Sequence, residues 1–204
     1  DVCSSDLKLQ DDVPPFAFAE VRKIIEKELE NSLESIFSSF DEVPLASASI
    51  AQVHKAVLPD GDVVAVKIQR PGLQKIIEID LEIMLHLATL MEKNIEEVSF
   101  QKPTRIIEGF ARTLERELDF GTEAANMERV SAQFLNDPTI YIPKVYADYS
   151  TSHVLTMEYI DGIKVSDKKK LEAAGMDPKI ITARGADFVM KQVFEFGFFH
   201  ADPH

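Results

Sequence analysis

Ser49-Ile50-Ala51-Gln52-Val53-His54-Lys55-Ala56-Val57-Leu58-Pro59-Asp60-Gly61-Asp62-Val63-Val64-Ala65-Val66-Lys67-Ile68 decides the fold of this chain. Ser49 to Leu58 and Val63 to Ile68 are rich in apolar and β-branched residues, and Pro59-Asp60-Gly61-Asp62 between them has the composition of a turn. The stretch therefore reads as a β-hairpin, ended by Arg70-Pro71-Gly72. On its N-terminal side, Asp11-Asp12-Val13-Pro14-Pro15 is a breaker. Phe18 to Leu33 then carries Val21, Ile24, Ile25, Leu29 and Leu33 near helical spacing. Ile36, Phe37 and Phe40 continue an apolar face up to Pro44. On the C-terminal side the pattern predicts helices from Leu73 to Val98 and from Thr104 to Leu135, the latter open to interruption at Gly121. Strands are predicted over Ile140 to Tyr146 and Val154 to Ile160, the second closed by Asp161-Gly162. Leu171 to Ala174 and Lys179 to Phe196 read as helices, ending at Gly197. This order predicts an α+β protein: an antiparallel sheet with helices on one side, followed by a helical region.

The 204 residues suffice for one large or two small domains, and a hydrophobic content of 45% supplies a core. A net charge of -13 works against nucleic-acid or anionic-lipid binding. Lys168-Lys169-Lys170, the one basic run, reads as a solvated loop or helix start. A single cysteine, Cys3, excludes an intramolecular disulfide and fits a reducing compartment. No stretch approaches the roughly 18 consecutive apolar residues of a membrane span, and the acidic start does not resemble a signal peptide. Asp1 to Leu7 matches no periodic pattern and is read as a non-native segment, so Cys3 is given no role.

Several residues could carry chemistry. Lys67 ends an apolar strand, where a charge is costly unless it is paired, faces a ligand or lies on the exposed face at the strand end. Candidate carboxylate partners lie between Glu115 and Asn126. Glu117 and Asp119 fall on different helical faces; Glu123 is followed by two alanines that permit close approach. A solvent-facing charged helix explains the same run, and spacing does not choose. Pro44-Leu45-Ala46-Ser47-Ala48-Ser49 is a loop of small residues leading into the hairpin. Met157-Glu158-Tyr159-Ile160-Asp161-Gly162, a strand end and then a turn, resembles a kinase hinge, whose backbone could meet an adenine edge; read by itself it is an ordinary exit from a strand. At the C-terminus, Phe198-Phe199-His200-Ala201-Asp202-Pro203-His204 gathers acid-base groups. His200, Asp202 and His204 alternate as a metal tripod would, but Pro203 interrupts them and no further His stands at ligand spacing, which counts against zinc.

The hairpin ending in Ala65-Val66-Lys67 resembles the strand that presents the phosphate-binding lysine of protein kinases, and His200-x-Asp202 resembles their catalytic loop. More specifically, the chain resembles the UbiB/AarF family of atypical protein-kinase-like proteins, from about Lys8 to His204. The resemblance is carried by Leu9 to Pro15, Pro44 to His54, Val64 to Gly72, Glu117-Leu118-Asp119-Phe120, Glu123-Ala124-Ala125-Asn126 and Phe198 to His204, in that order.

The resemblance implies a protein-kinase-like fold. A helical extension would occupy 8–43, a kinase N-lobe with an antiparallel sheet and extra helices 44–160, and the start of a helical C-lobe 161–204. It implies an alanine-rich ATP-binding loop, Ala46, Ser47, Ala48 and Ser49, in place of a glycine-rich one. Lys67 matches the ATP-phosphate lysine and Glu123 its salt-bridge partner. Glu117 and Asp119 match the family's E-x-D motif, which meets a helical K-x-G-Q segment. Met157 matches the gatekeeper, Glu158 and Ile160 offer backbone to adenine, and Asp202 matches the catalytic aspartate. ATP and Mg²⁺ are the expected cofactors. The metal ligands are expected beyond His204, the sequence is expected to be a piece cut at both ends, and these 204 residues alone are expected to show negligible ATPase activity.

The parent protein would then be an atypical kinase or ATPase supporting ubiquinone or related isoprenoid-quinone biosynthesis on the cytoplasmic side of the bacterial inner membrane. Its partners would be quinone-biosynthesis proteins or a lipid-like substrate, not nucleic acid, with membrane association only through parts outside this sequence. A nucleotide-sensing pseudokinase module and a small-molecule phosphotransferase are the alternatives. The alanine-rich loop and the E-x-D segment argue against the second.

Overall fold

The computed structural model describes residues 13–95 and 101–199. The His200, Asp202 and His204 cluster, Cys3 and the start of the Leu9 to Pro15 motif lie outside the described residues. The chain divides into two compact units. One comprises the residues up to Asn126 together with Lys144–Tyr159; the other comprises Met127–Pro143 and the residues from Ile160 onward.

In the first unit, five strands of the described residues form one antiparallel sheet: β1 (Ser39–Phe40), β2 (Ala46–Ser47), β3 (Ala51–Val57), β4 (Val63–Gln69) and β5 (Val154–Glu158). The central hairpin is β3–β4, with Val53 opposite Lys67 and Val57 opposite Val63. Its turn needs Gly61, whose φ of +97° suits a residue without a Cβ. β5 runs beside β4, pairing Ala65 with Met157 and Lys67 with Leu155. β1 and β2 both pair with the outer edge of β3, through Phe40 opposite Ala56 and Ala46 opposite Val53. Two-residue strands carry too little periodic signal to be read from sequence; Ala46–Ser47 looked like loop alone.

Helix α1 (Phe18–Glu28) and the single turn α2 (Leu33–Ile36) cover one face of this sheet. Val21, Ile25, Leu33, Ile36 and Phe37 pack there with Ala56, Leu58, Val64, Val66, Ile68 and Val154. The period-2 alternation of β4 buries Val64, Val66 and Ile68 in this core and turns Ala65, Lys67 and Gln69 to the other face. The helix expected to reach Leu33 stops at Glu28, because Glu30 adopts φ +54°, a left-handed geometry that cannot continue a right-handed helix.

Helices α3 (Leu73–Asn94) and α4 (Pro103–Leu118) follow, and α5 (Phe120–Gln133) continues into the second unit. The expected break near Gly121 falls at Asp119, whose backbone is extended (φ -90°, ψ 101°). The strand predicted over Ile140 to Tyr146 does not form. Pro143 has no N–H to donate, and only a short stretch pairs with β5: a Val145–Met157 bridge, with Tyr146 N–H donating to Thr156 O and Glu158 N–H to Lys144 O.

In the second unit, α6 (Lys168–Ala173) and α7 (Pro178–Phe194) are capped by the Asp167 and Asp177 carboxylates. The lysine run is thus a helix start. Phe134 packs on Phe188 and Phe196, and Lys191 bridges Asp137 and Asp187. No helix among the described residues is long and apolar enough to cross a membrane.

Candidate nucleotide site

The site is built on the face of β4 that α1 and α2 leave uncovered. Lys67 stands at its centre between Val53 of β3 and Leu155 of β5, with Ala65 and Met157 one register step away. Its ammonium donates to both carboxylate oxygens of Glu123, at 2.9 Å and 2.6 Å. It also lies 4.7 Å from the centre of the Phe120 ring, a cation–π contact with a fully buried aromatic. The Lys67 side chain keeps 19% of its surface exposed, so the charge is paired yet reachable.

Glu123 is aimed by the junction between α4 and α5. Asp119 Oδ1 accepts from Gly121 N–H at 2.9 Å and Oδ2 from the Thr122 hydroxyl at 3.0 Å, capping α5. The Asp119 carbonyl accepts from Glu123 N–H. A side chain at residue 121 would begin 3.1 Å from Asp119 Oδ1, so Gly121 keeps room for the cap. The junction is fastened to the sheet twice: buried Gln69 donates to Leu118 O at 2.7 Å, and Phe120 N–H donates to Ser152 O at 3.0 Å. Glu123 lies one turn past the cap. The two acids of the E-x-D segment therefore part company: Asp119 is consumed by the helix start, whereas Glu117 is exposed on α4.

Above the sheet edge, Ala46–Ser47 forms β2 and the chain turns back at Ala48 to Ala51, closed by Ala48 N–H donating to Ala51 O at 2.8 Å. Ala46 and Ser49 are exposed, while Ser47 and Ala48 are half-buried. At the end of β5, Glu158 N–H is committed to Lys144 O, and its carboxylate accepts from Lys144 N–H at 3.2 Å. Met157 lies opposite Ala65; Ile160 belongs to the second unit. Lys55, opposite Ala65, places its ammonium 4.6 Å from the Tyr159 ring.

The structure thus brings together Lys67, Glu123, Met157 and the Ala46 to Ser49 turn within the first unit. Among the described residues no group of three or more His, Cys, Asp or Glu is arranged to hold a metal ion. Sequence reasoning assigned no role to Gln69, Arg70 or Phe120, although all three stand in the motifs that carry the resemblance. A Gln ending an apolar strand is the one signal that pointed to Gln69, since a buried amide needs partners.

The chain matches the family model described as the ABC1 atypical kinase-like domain over residues 8–204. It is 44% identical over 196 residues to "Probable protein kinase UbiB" of Cellvibrio japonicus, covering 96% of this chain and 36% of that protein. It is 42% identical to the protein of the same name in Marinobacter nauticus, covering all of this chain and 37% of that one. The chain therefore spans a little over a third of the length of these curated relatives. Among solved structures it is similar to the complex of Rv3197 with erythromycin from Mycobacterium tuberculosis, with a TM-score of 0.65 and 32% identity, over 76% of this chain and 38% of that one. A kinase-like sheet with a paired lysine, in a sequence matched over nearly its whole length, identifies the chain as a member of the ABC1 atypical kinase-like family.

Proposed function

We propose that this chain supplies the nucleotide-binding lobe of an ATP-using atypical kinase or ATPase, one that acts in isoprenoid-quinone biosynthesis. The observation that carries the reading is the Lys67–Glu123 ion pair on the uncovered face of β4. A lysine held by a carboxylate is a cation placed at a fixed point, as phosphate binding requires. Around it the face is small and apolar: Val53, Ala65 and Leu155 lie beside Lys67, with Met157 in the gatekeeper position. Those dimensions suit a flat base, and the Ala46 to Ser49 turn suits a backbone cover over phosphates.

In this reading Lys67 contacts phosphate oxygens and Glu123 orients Lys67. Glu158 and Ile160 offer backbone to the adenine edge. Asp202 positions the attacking hydroxyl or water. Mg²⁺ would supply charge neutralisation, held by residues other than those described. The names of the relatives support kinase chemistry, and the family resemblance supports the link to quinone biosynthesis.

Titration with a fluorescent ATP analogue tests the reading. Micromolar binding by the chain, weakened at least about ten-fold in Lys67→Met, is expected. Equal affinity in the two proteins would sink it. In the full-length protein, Asp202→Asn is expected to keep ATP binding while abolishing turnover and quinone production; quinone production that survives this change would favour a nucleotide sensor instead.

A further inference from the structure

We propose that Arg70 is the positioning residue of the Ala46 to Ser49 loop, and that it fastens this loop to the segment Pro14 to Phe16, so that nucleotide binding orders both together. The inference rests on the nucleotide reading above. Arg70 follows β4 directly, and its N–H donates to Ile50 O at 2.9 Å, which sets its backbone against the turn. Its guanidinium then makes three further bonds. Nε donates to Ala48 O at 2.8 Å, and Nη2 donates to the Ser47 hydroxyl at 2.9 Å and to Pro14 O at 2.9 Å. The guanidinium carbon also lies 5.5 Å from the centre of the Phe16 ring.

Phe16 is held independently from below. Its N–H donates to Gln52 Oε1 at 2.9 Å, and Gln52 Nε2 donates back to Phe16 O at 3.4 Å. Gln52 is buried on β3, three residues beyond Ser49. One planar cation therefore joins two pieces of chain that are more than thirty residues apart in sequence.

The chemistry explains why an arginine stands there. A loop of alanine and serine has neither large side chains to pack itself in place nor glycines to fold tightly over phosphates. Its order must come from outside, and a fork of fixed geometry supplies it to a carbonyl and a hydroxyl at once. A lysine is a single point charge and cannot span the Ala48, Ser47 and Pro14 acceptors in one plane. Holding the loop close to its place before the nucleotide arrives removes part of the entropic cost of binding, and the nucleotide completes the ordering. Because the same guanidinium holds Pro14 and covers Phe16, whatever tightens the loop tightens the segment.

The test uses the chain with a fluorescent N-methylanthraniloyl ATP and amide hydrogen exchange with and without ATP. Without substitution, ATP is expected to slow exchange at Ala48 and at Phe16. In Arg70→Lys the affinity is expected to fall about ten-fold, and ATP is expected to leave Phe16 exchange unchanged. Affinity within two-fold of the parent, or Phe16 protection that persists, overturns the inference while leaving the nucleotide reading intact. Absence of ATP binding by the unsubstituted chain overturns the nucleotide reading and this inference with it. If circular dichroism shows Arg70→Lys unfolded, Ser47→Ala decides. It removes one guanidinium contact, about three-fold weaker binding is expected, and unchanged affinity overturns the inference.

Discussion

Lys67 of β4 and Glu123 of α5, 56 positions apart, meet through two hydrogen bonds of 2.9 Å and 2.6 Å. Both are partly solvated, with 19% and 38% of their side chains exposed, so the pair contributes only about 1 kcal/mol to folding. Its value lies in placement. Glu123→Gln is expected to leave the melting temperature within a few degrees of the parent and to weaken ATP binding several-fold, less than Lys67→Met does. Thermal melts and nucleotide titration on the same samples check both halves.

The Asp119 cap gives a second expectation. Asp119→Ala removes acceptors for Gly121 N–H and the Thr122 hydroxyl and should cost about 1 kcal/mol. Asp119→Asn, which keeps a capping oxygen, should recover most of that loss. Glu117→Ala, on an exposed position, should be neutral for stability. Urea unfolding of the three variants separates these outcomes. Equal losses at residues 117 and 119 would count against the cap.

Phe120 is fully buried beneath the Lys67 ammonium. Phe120→Ala should destabilise the chain by about 3–5 kcal/mol, the range for emptying a buried aromatic site. Phe120→Leu should restore most of the stability without the cation–π contact. A nucleotide affinity that remains low in Phe120→Leu would then report the ring's hold on Lys67.

His54 makes stability depend on pH. The ring is fully buried against Phe18 and Phe40, and burial pushes its pKa below the ordinary histidine value. Nδ1 must donate to the Asp41 carbonyl at 2.8 Å, which leaves Nε2 to accept from Gln52 Nε2 at 2.8 Å. Protonation would turn two donors toward each other, and rotating the Gln52 amide to relieve them would break its bonds to Phe16. With the folded pKa below the unfolded one, His54 contributes stability that is fully present above about pH 6.5 and is lost as pH falls through the folded pKa. Urea midpoints at pH 7.5 and pH 5.5 should differ more for the parent than for His54→Asn; parallel slopes would refute this origin.

The Tyr146 hydroxyl donates to Asp62 Oδ2 at 2.6 Å, and this bond holds the phenol pKa up at about 12. In Asp62→Asn it should return toward the ordinary value near 10. Ultraviolet titration of tyrosinate reads the change directly.

Much of the frame was legible from local pattern. The β3–β4 hairpin, the turn at Gly61 and the helices on either side follow from period-2 and 3.6-residue spacing with turn residues between them. Pairing in Ile140 to Tyr146 was over-read because Pro143 removes a donor that a ladder needs, and β1 and β2 were missed because two residues define no period. Lys67 stood out as a charge in an apolar strand, but composition alone left its partner open among Glu117, Asp119 and Glu123. The family resemblance named Glu123, and the geometry places it at Lys67.

What the sequence by itself determined was the set of elements, the apolar face of β4 and the position of one lysine opposite that face, because these depend on neighbours a few residues apart. Only the tertiary structure decided which carboxylate meets that lysine, that Asp119 caps a helix, and that Arg70 joins Pro14 to Ala48. Those relationships span up to 56 residues, and each depends on where helices stop and how strands register. Such geometry is set by packing of the whole unit and leaves no periodic trace in the chain.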